Sequence, residues 1–90
     1  MSFKIKFSKN LEEILRRLKR KDYALFLRIQ KKIIQISNSD EVSIQHFKNL
    51  RGDLSNYKRV HIGHFVLLFR VEGNTIIFED FRHHDKAYQR

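Results

Sequence analysis

The chain contains no cysteine and no proline. Without cysteine it can build neither a disulfide scaffold nor a thiolate metal site. Without proline, and with no Gly/Ser-rich stretch or internal repeat, nothing along it marks a linker. Long hydrophobic runs are missing too. The longest is Phe65-Val66-Leu67-Leu68-Phe69, far short of the roughly 20 residues of a membrane span. At the N-terminus, Phe3-Lys4-Ile5-Lys6-Phe7 alternates where a signal peptide would run continuously apolar. The expected location is therefore the cytoplasm, with no membrane partner.

What is present is a compact, basic chain. Ninety residues, 41% of them hydrophobic and eight of them Phe, suffice for one core, so a single domain over 1–90 is expected and wholesale disorder is excluded. Nineteen Lys and Arg against ten Asp and Glu leave a net charge of +9, which favours a polyanionic partner. The excess is uneven. Residues 1–22 hold eight bases and three acids, 23–40 hold three and one, and 41–90 hold eight and six. In the C-terminal half, function must come from placement and not from bulk charge.

The hydrophobic period gives the element order. Phe3, Ile5 and Phe7 alternate with Lys4 and Lys6, as in a strand with one buried face. Asn10 with Glu13 reads as a capping box ahead of a first helix on Leu11, Ile14, Leu15 and Leu18, ending near Arg20. Asp22 caps a second helix with a stripe of Phe26, Ile29, Ile33 and Ile36, widened by Leu27 and Ile34 and ending in Ser37-Asn38-Ser39-Asp40. So short a junction makes the two an antiparallel hairpin. Residues 40–56 read mostly as loop, with Leu50 as an anchor. The period then becomes two: Val60 and Ile62 alternate with Arg59 and His61, Gly63-His64 turns into Phe65–Val71, and Glu72-Gly73-Asn74 turns into a strand from Thr75 to Phe81. The result is an α+β domain of order β-α-α-β-β-β, with the helix hairpin packed on one face of a small antiparallel twisted sheet.

Three groups of residues could carry chemistry. Arg16-Arg17-Leu18-Lys19-Arg20-Lys21, near Lys4, Lys6, Arg28, Lys31 and Lys32, reads equally as a solvated helix end or as a flank facing phosphates. In Lys58-Arg59-Val60-His61, alternation puts Arg59 and His61 on the face opposite Val60 and Ile62. A guanidinium and an imidazole there could hold a phosphate and move a proton, although the exposed face of any amphipathic strand looks similar. The third group is the ending Arg82-His83-His84-Asp85-Lys86-Ala87-Tyr88-Gln89-Arg90. Adjacent His83 and His84 cannot share one ion from strand geometry and have no evident third ligand, so no metal is expected.

Asn49-Leu50-Arg51-Gly52, Tyr57-Lys58-Arg59-Val60-His61-Ile62-Gly63 and Phe81-Arg82-His83-His84-Asp85-Lys86-Ala87-Tyr88 together resemble the RelE/ParE superfamily of toxins from toxin–antitoxin pairs, most of all its archaeal RelE branch. The resemblance runs along the whole chain. It implies a RelE-like fold and an endoribonuclease that cuts messenger RNA in the ribosomal A site. By position it implies catalytic groups at Arg59, His61, Arg82, His84 and Tyr88. A register anchored on Tyr57 would select Lys58 in place of Arg59, and alternation favours Arg59. Lys58, Arg51, Lys48, His83 and Lys86 are the expected further RNA contacts. One departure stands out: many relatives carry an arginine shortly after the central-turn glycine, where this chain has Phe65 and Val66. Either Arg70, His64 or Arg51 supplies that charge, or the site is weaker in phosphate stabilisation.

RNA carries its own nucleophile, the 2′-OH, so cleavage needs a base, an acid and cations around the phosphorane. Histidine transfers protons near neutral pH, and arginine cannot, but its planar fork holds phosphate charge. Arg82 and Arg59 are therefore expected on the phosphate, His84 or His61 in proton transfer, and Tyr88 in stacking or as the base. No cofactor is required. The resemblance also implies an acidic antitoxin partner (RelB-like) beside the ribosome and mRNA, and the charge of the chain suits one. Two other readings remain: a gyrase-poisoning ParE-like toxin, a group that generally lacks the full C-terminal set, and a non-catalytic basic RNA-binding protein.

Overall fold

The computed structural model describes residues 3–47, 49 and 56–84. Strand β1 (Lys4–Phe7) leads into α1 (Lys9–Lys21), α2 (Tyr23–Ser37) and the short α3 (Glu41–Ile44), followed by β2 (Lys58–Ile62), β3 (Phe65–Glu72) and β4 (Thr75–His83). Local chemistry explains most boundaries. The cap of α1 is Ser8, whose side chain accepts from the Leu11 amide at 3.0 Å, and not Asn10 as the capping-box pattern suggested. Asp22 alone separates the two long helices and caps α2 through the Leu25 amide at 3.2 Å. The buried stripe of α2 is Leu25, Ile29, Ile33 and Ile36, so Leu25 replaces the expected Phe26, while Leu27 and Ile34 face solvent. The expected loop opens with α3, which Asp40 caps through the Ser43 amide and which buries Ile44. Leu50 lies outside the described residues.

The sheet runs in the order β1-β4-β3-β2. β2, β3 and β4 form the expected antiparallel meander. β1 joins it in parallel beside β4, with Ile5 opposite Ile76 and Phe7 opposite Phe78, so the sheet as a whole is mixed. Gly63 and Gly73 turn the meander with φ of +62° and +57°, a backbone region that side chains with a Cβ rarely adopt. The α1–α2 layer packs on one sheet face, where Leu11, Ile29, Ile33 and Ile36 meet Leu67, Phe69, Ile76, Phe78 and Phe81. No helix among the described residues is long and apolar enough to cross a membrane.

One irregularity positions the chemistry. Leu68 pairs with Asp80 but Phe69 pairs with Phe78, so Glu79 is an extra residue on β4, a β-bulge. Strict alternation from Ile76 and Phe78 would send Asp80, Arg82 and His84 toward the helices. The bulge shifts the parity, so that Phe81 enters the core and Arg82 sits beside Val66. Val66 belongs to the small apolar cluster of the other face, with Leu68 and Tyr57. We call this the open face.

Candidate active site

On the open face, in-register pairing lines up His61, Val66 and Arg82 across β2, β3 and β4. The next such row is Arg59, Leu68 and Asp80. Arg59 Nη1 lies 3.4 Å from His61 Nε2. A guanidinium can only donate, so in this contact Nε2 accepts and the imidazole is neutral, with its proton on Nδ1. The His84 ring stands 5.2 Å from the His61 ring, centroid to centroid, tilted by 31°. It is placed there by the bulge and by its backbone N–H, which donates to the His64 carbonyl at 2.8 Å. Partial desolvation first, then the charges of His84 and Arg59, push the His61 pKa below the usual imidazole value. The imidazole of His61 is thus favoured in its unprotonated form.

Arg82 is held from the side. Its Nε donates to Asp80 Oδ2. Asp80 Oδ1 in turn accepts from the Phe81 amide at 2.8 Å and from Asn10 Nδ2 at 2.9 Å. The first turn of α1 therefore reaches across to the carboxylate that aims the guanidinium, and moving the cap to Ser8 is what leaves Asn10 available for it. A pocket of about 260 Å³ adjoins Arg82 on this face, between the start of α1, Tyr57, Leu68 and the bulge residues Glu79 and Asp80.

The chain is similar over nearly its full length to a Methanocaldococcus jannaschii protein that carries the toxin designation RelE4, with 40% identity over 98% of this chain and 93% of the relative. The chain belongs to the RelE toxin family. No family model matches it. Among solved structures, the toxin–antitoxin complex RelB–RelE from Methanococcus jannaschii superposes with a TM-score of 0.63 at 27% identity, covering 92% of this chain and 94% of that one. A YoeB/ParE toxin from Agrobacterium tumefaciens shares the fold with a TM-score of 0.72 at 17% identity, covering 90% of this chain and 98% of that one.

For this RelE-family chain, the structure brings Arg59, His61, Arg82 and His84 together on one face. It sends others elsewhere. Lys58, expected among the RNA contacts, points to the helix-covered side with Val60 and Ile62 and is 7% exposed. Its Nζ donates to Asn49 Oδ1 at 2.9 Å and to the Phe47 carbonyl at 3.4 Å, so alternation makes it a tie for the preceding loop. His83, another expected contact, falls on the parity of Phe81 and stands edge-on to the Phe65 ring at 5.6 Å, away from His61 and His84. Arg70 faces the open side but is committed to Glu72 and Glu79, so it does not replace the arginine missing after the turn. Tyr88, Arg51, Lys48 and Lys86 lie outside the described residues. The basic residues at the end of α1 belong to the helical layer, where Lys19 Nζ sits 6.0 Å from the centre of the Phe26 ring, with the core and the sheet between them and the Arg–His cluster.

Pattern reading missed Asp80 and Asn10. A signal was available, because Phe78 and Phe81 are three apart where an unbroken buried face would have them two or four apart.

Proposed function

We propose that this RelE-family toxin is an endoribonuclease that cuts translated mRNA in the ribosomal A site. The observation that carries the reading is the convergence of two guanidiniums and two imidazoles, Arg59, His61, Arg82 and His84, on one exposed sheet face. As Arg59 turns to the phosphate it releases Nε2 of neutral His61, which takes the proton of the 2′-OH, and the freed oxygen attacks the adjacent phosphorus. Arg82 and Arg59 stabilise the five-coordinate phosphorane by charge and by hydrogen bonds that strengthen as negative charge develops. The 5′-oxygen leaves with a proton supplied by His84, giving a 2′,3′-cyclic phosphate and a free 5′-hydroxyl. Imidazole and guanidinium supply both the proton transfer and the charge that this step needs. The family resemblance adds the Tyr88 phenol as a stacking partner or alternative base.

A 90-residue chain has little surface with which to orient an RNA strand, and the ribosome with its codon–anticodon helix supplies that orientation. The partner in the resting cell is an acidic antitoxin. The +9 charge and the exposed Tyr23, Leu27 and Ile34 of α2 suit an acidic amphipathic segment.

Primer extension on polysomes treated with the toxin tests the reading. Cuts confined to A-site codons are expected, with Arg82→Ala reducing the rate by about 100-fold or more. Equal cutting by wild type and Arg82→Ala, or no cutting alongside inhibition of gyrase supercoiling, would overturn it.

A further inference from the structure

We propose that the pocket beside Arg82 is a subsite for one unpaired nucleobase that bears an exocyclic amino group. The proposal rests on the nuclease reading of the neighbouring Arg–His cluster and adds which part of the substrate this surface reads. The pocket is about 260 Å³, room for one planar ring system and not for a base pair. Its floor is Leu68 and its wall is Tyr57, which form an apolar cluster with Val66 on a face otherwise lined by polar groups. An aromatic ring over an aliphatic floor is the arrangement on which single-stranded bases stack.

Location ties the pocket to the phosphate. The Arg59–Leu68–Asp80 row at the pocket is one same-face step from the His61–Val66–Arg82 row, about 7 Å along the strands. That step is comparable to the span of one extended nucleotide. Arg82 belongs to both places. A nucleotide whose phosphate lies against Arg82 and His61 can therefore lay its base over Leu68 and beside Tyr57.

The rim decides which base. Asn10 uses Nδ2 on Asp80, which leaves its Oδ1 as an acceptor. Glu79 holds Arg70 through Oε1, which leaves Oε2 as another. The Nε of Arg82 is engaged by Asp80, so its free nitrogens are left for the phosphate. An acceptor-rich rim pairs with the amino groups of adenine, cytosine and guanine, and it opposes the two carbonyl oxygens of uracil.

The test uses four trinucleotides that differ only in the central base and carry 2′-deoxy sugars at the first and central positions, so that binding is read without cleavage. Central A, C or G should bind about five-fold or more tighter than U. Tyr57→Ala should weaken those three by about five-fold or more, Tyr57→Phe should retain binding, and Asn10→Ala should narrow the preference over U. In the wild-type protein the Asn10 side-chain amide resonances should move on adding the A, C or G ligand. Equal affinity for all four bases, or an Asn10 amide that none of them shifts, would overturn the subsite whatever the variants do. If Arg82→Ala weakens all four ligands while Tyr57→Ala changes none, the subsite fails and the nuclease site stands. If Arg82→Ala changes none, the nuclease site itself fails.

Discussion

The two faces of the sheet are built from the same four strands and serve opposite ends. The helix-covered face is dry and aromatic: Phe69 and Phe78 are fully buried and pack with ring centroids 5.7 Å apart, and Phe65 stacks on Phe81 at 5.0 Å. The open face keeps only a narrow apolar strip of Val66, Leu68 and Tyr57, and around it stand Arg59, His61, Asp80, Arg82 and His84. Burying apolar area is what holds so small a domain together, so one face carries the stability. The other can then collect like charges close together, an arrangement that stability alone would disfavour.

That contrast can be broken by substitution, and the largest effect should come from the covered face. Phe78→Ala should cost about 3–5 kcal/mol, a large share of the roughly 5–15 kcal/mol that a domain has in total. Urea unfolding should show the midpoint collapsing; a loss below about 1 kcal/mol would mean that stability is spread over both faces. On the open face the expected effect is catalytic. His61→Ala should lower the cleavage rate by about 100-fold or more while moving the urea midpoint little. An equal loss of stability would make His61 a packing residue.

The same imidazole sharpens the comparison through pH. Because the folded-state pKa of His61 is lowered, the unfolded chain binds more protons in the window between that value and the ordinary one near 6.5. Its contribution to stability is thus complete above about pH 6.5 and declines as the pH falls through the window. The acidic limb of the cleavage rate should lie below pH 6.5 and should vanish in His61→Ala; a limb unchanged by that substitution would assign it to another group. The smallest effect belongs to neither face. Asp22→Ala removes the cap between α1 and α2 and should cost about 1 kcal/mol in thermal or urea unfolding, with the cleavage rate of the folded protein unchanged.

Much of this was legible along the chain, for reasons that differ from residue to residue. The helices and the meander follow from apolar spacing, and the Asp22 junction follows from a side chain that caps its own neighbours. Arg59 and His61 could be assigned to a common face because β2 alternates without interruption. Arg82 and His84 could not be placed so, because the bulge at Glu79 reverses the parity between Phe78 and Phe81. Lys58 looked like one more cation on a basic strand until the fold showed its ammonium drawn to Asn49 and Phe47.

The order of turns, helices and alternating strands was set by the linear pattern itself, because capping, period and turn chemistry act within a few residues. The face that Arg82 and His84 occupy, the reach of Asn10 to Asp80 across 70 positions and the parallel seat of β1 beside β4 were decided only by the folded chain. Those outcomes depend on register between strands distant in sequence, and a shift of one residue there exchanges the two faces of the sheet.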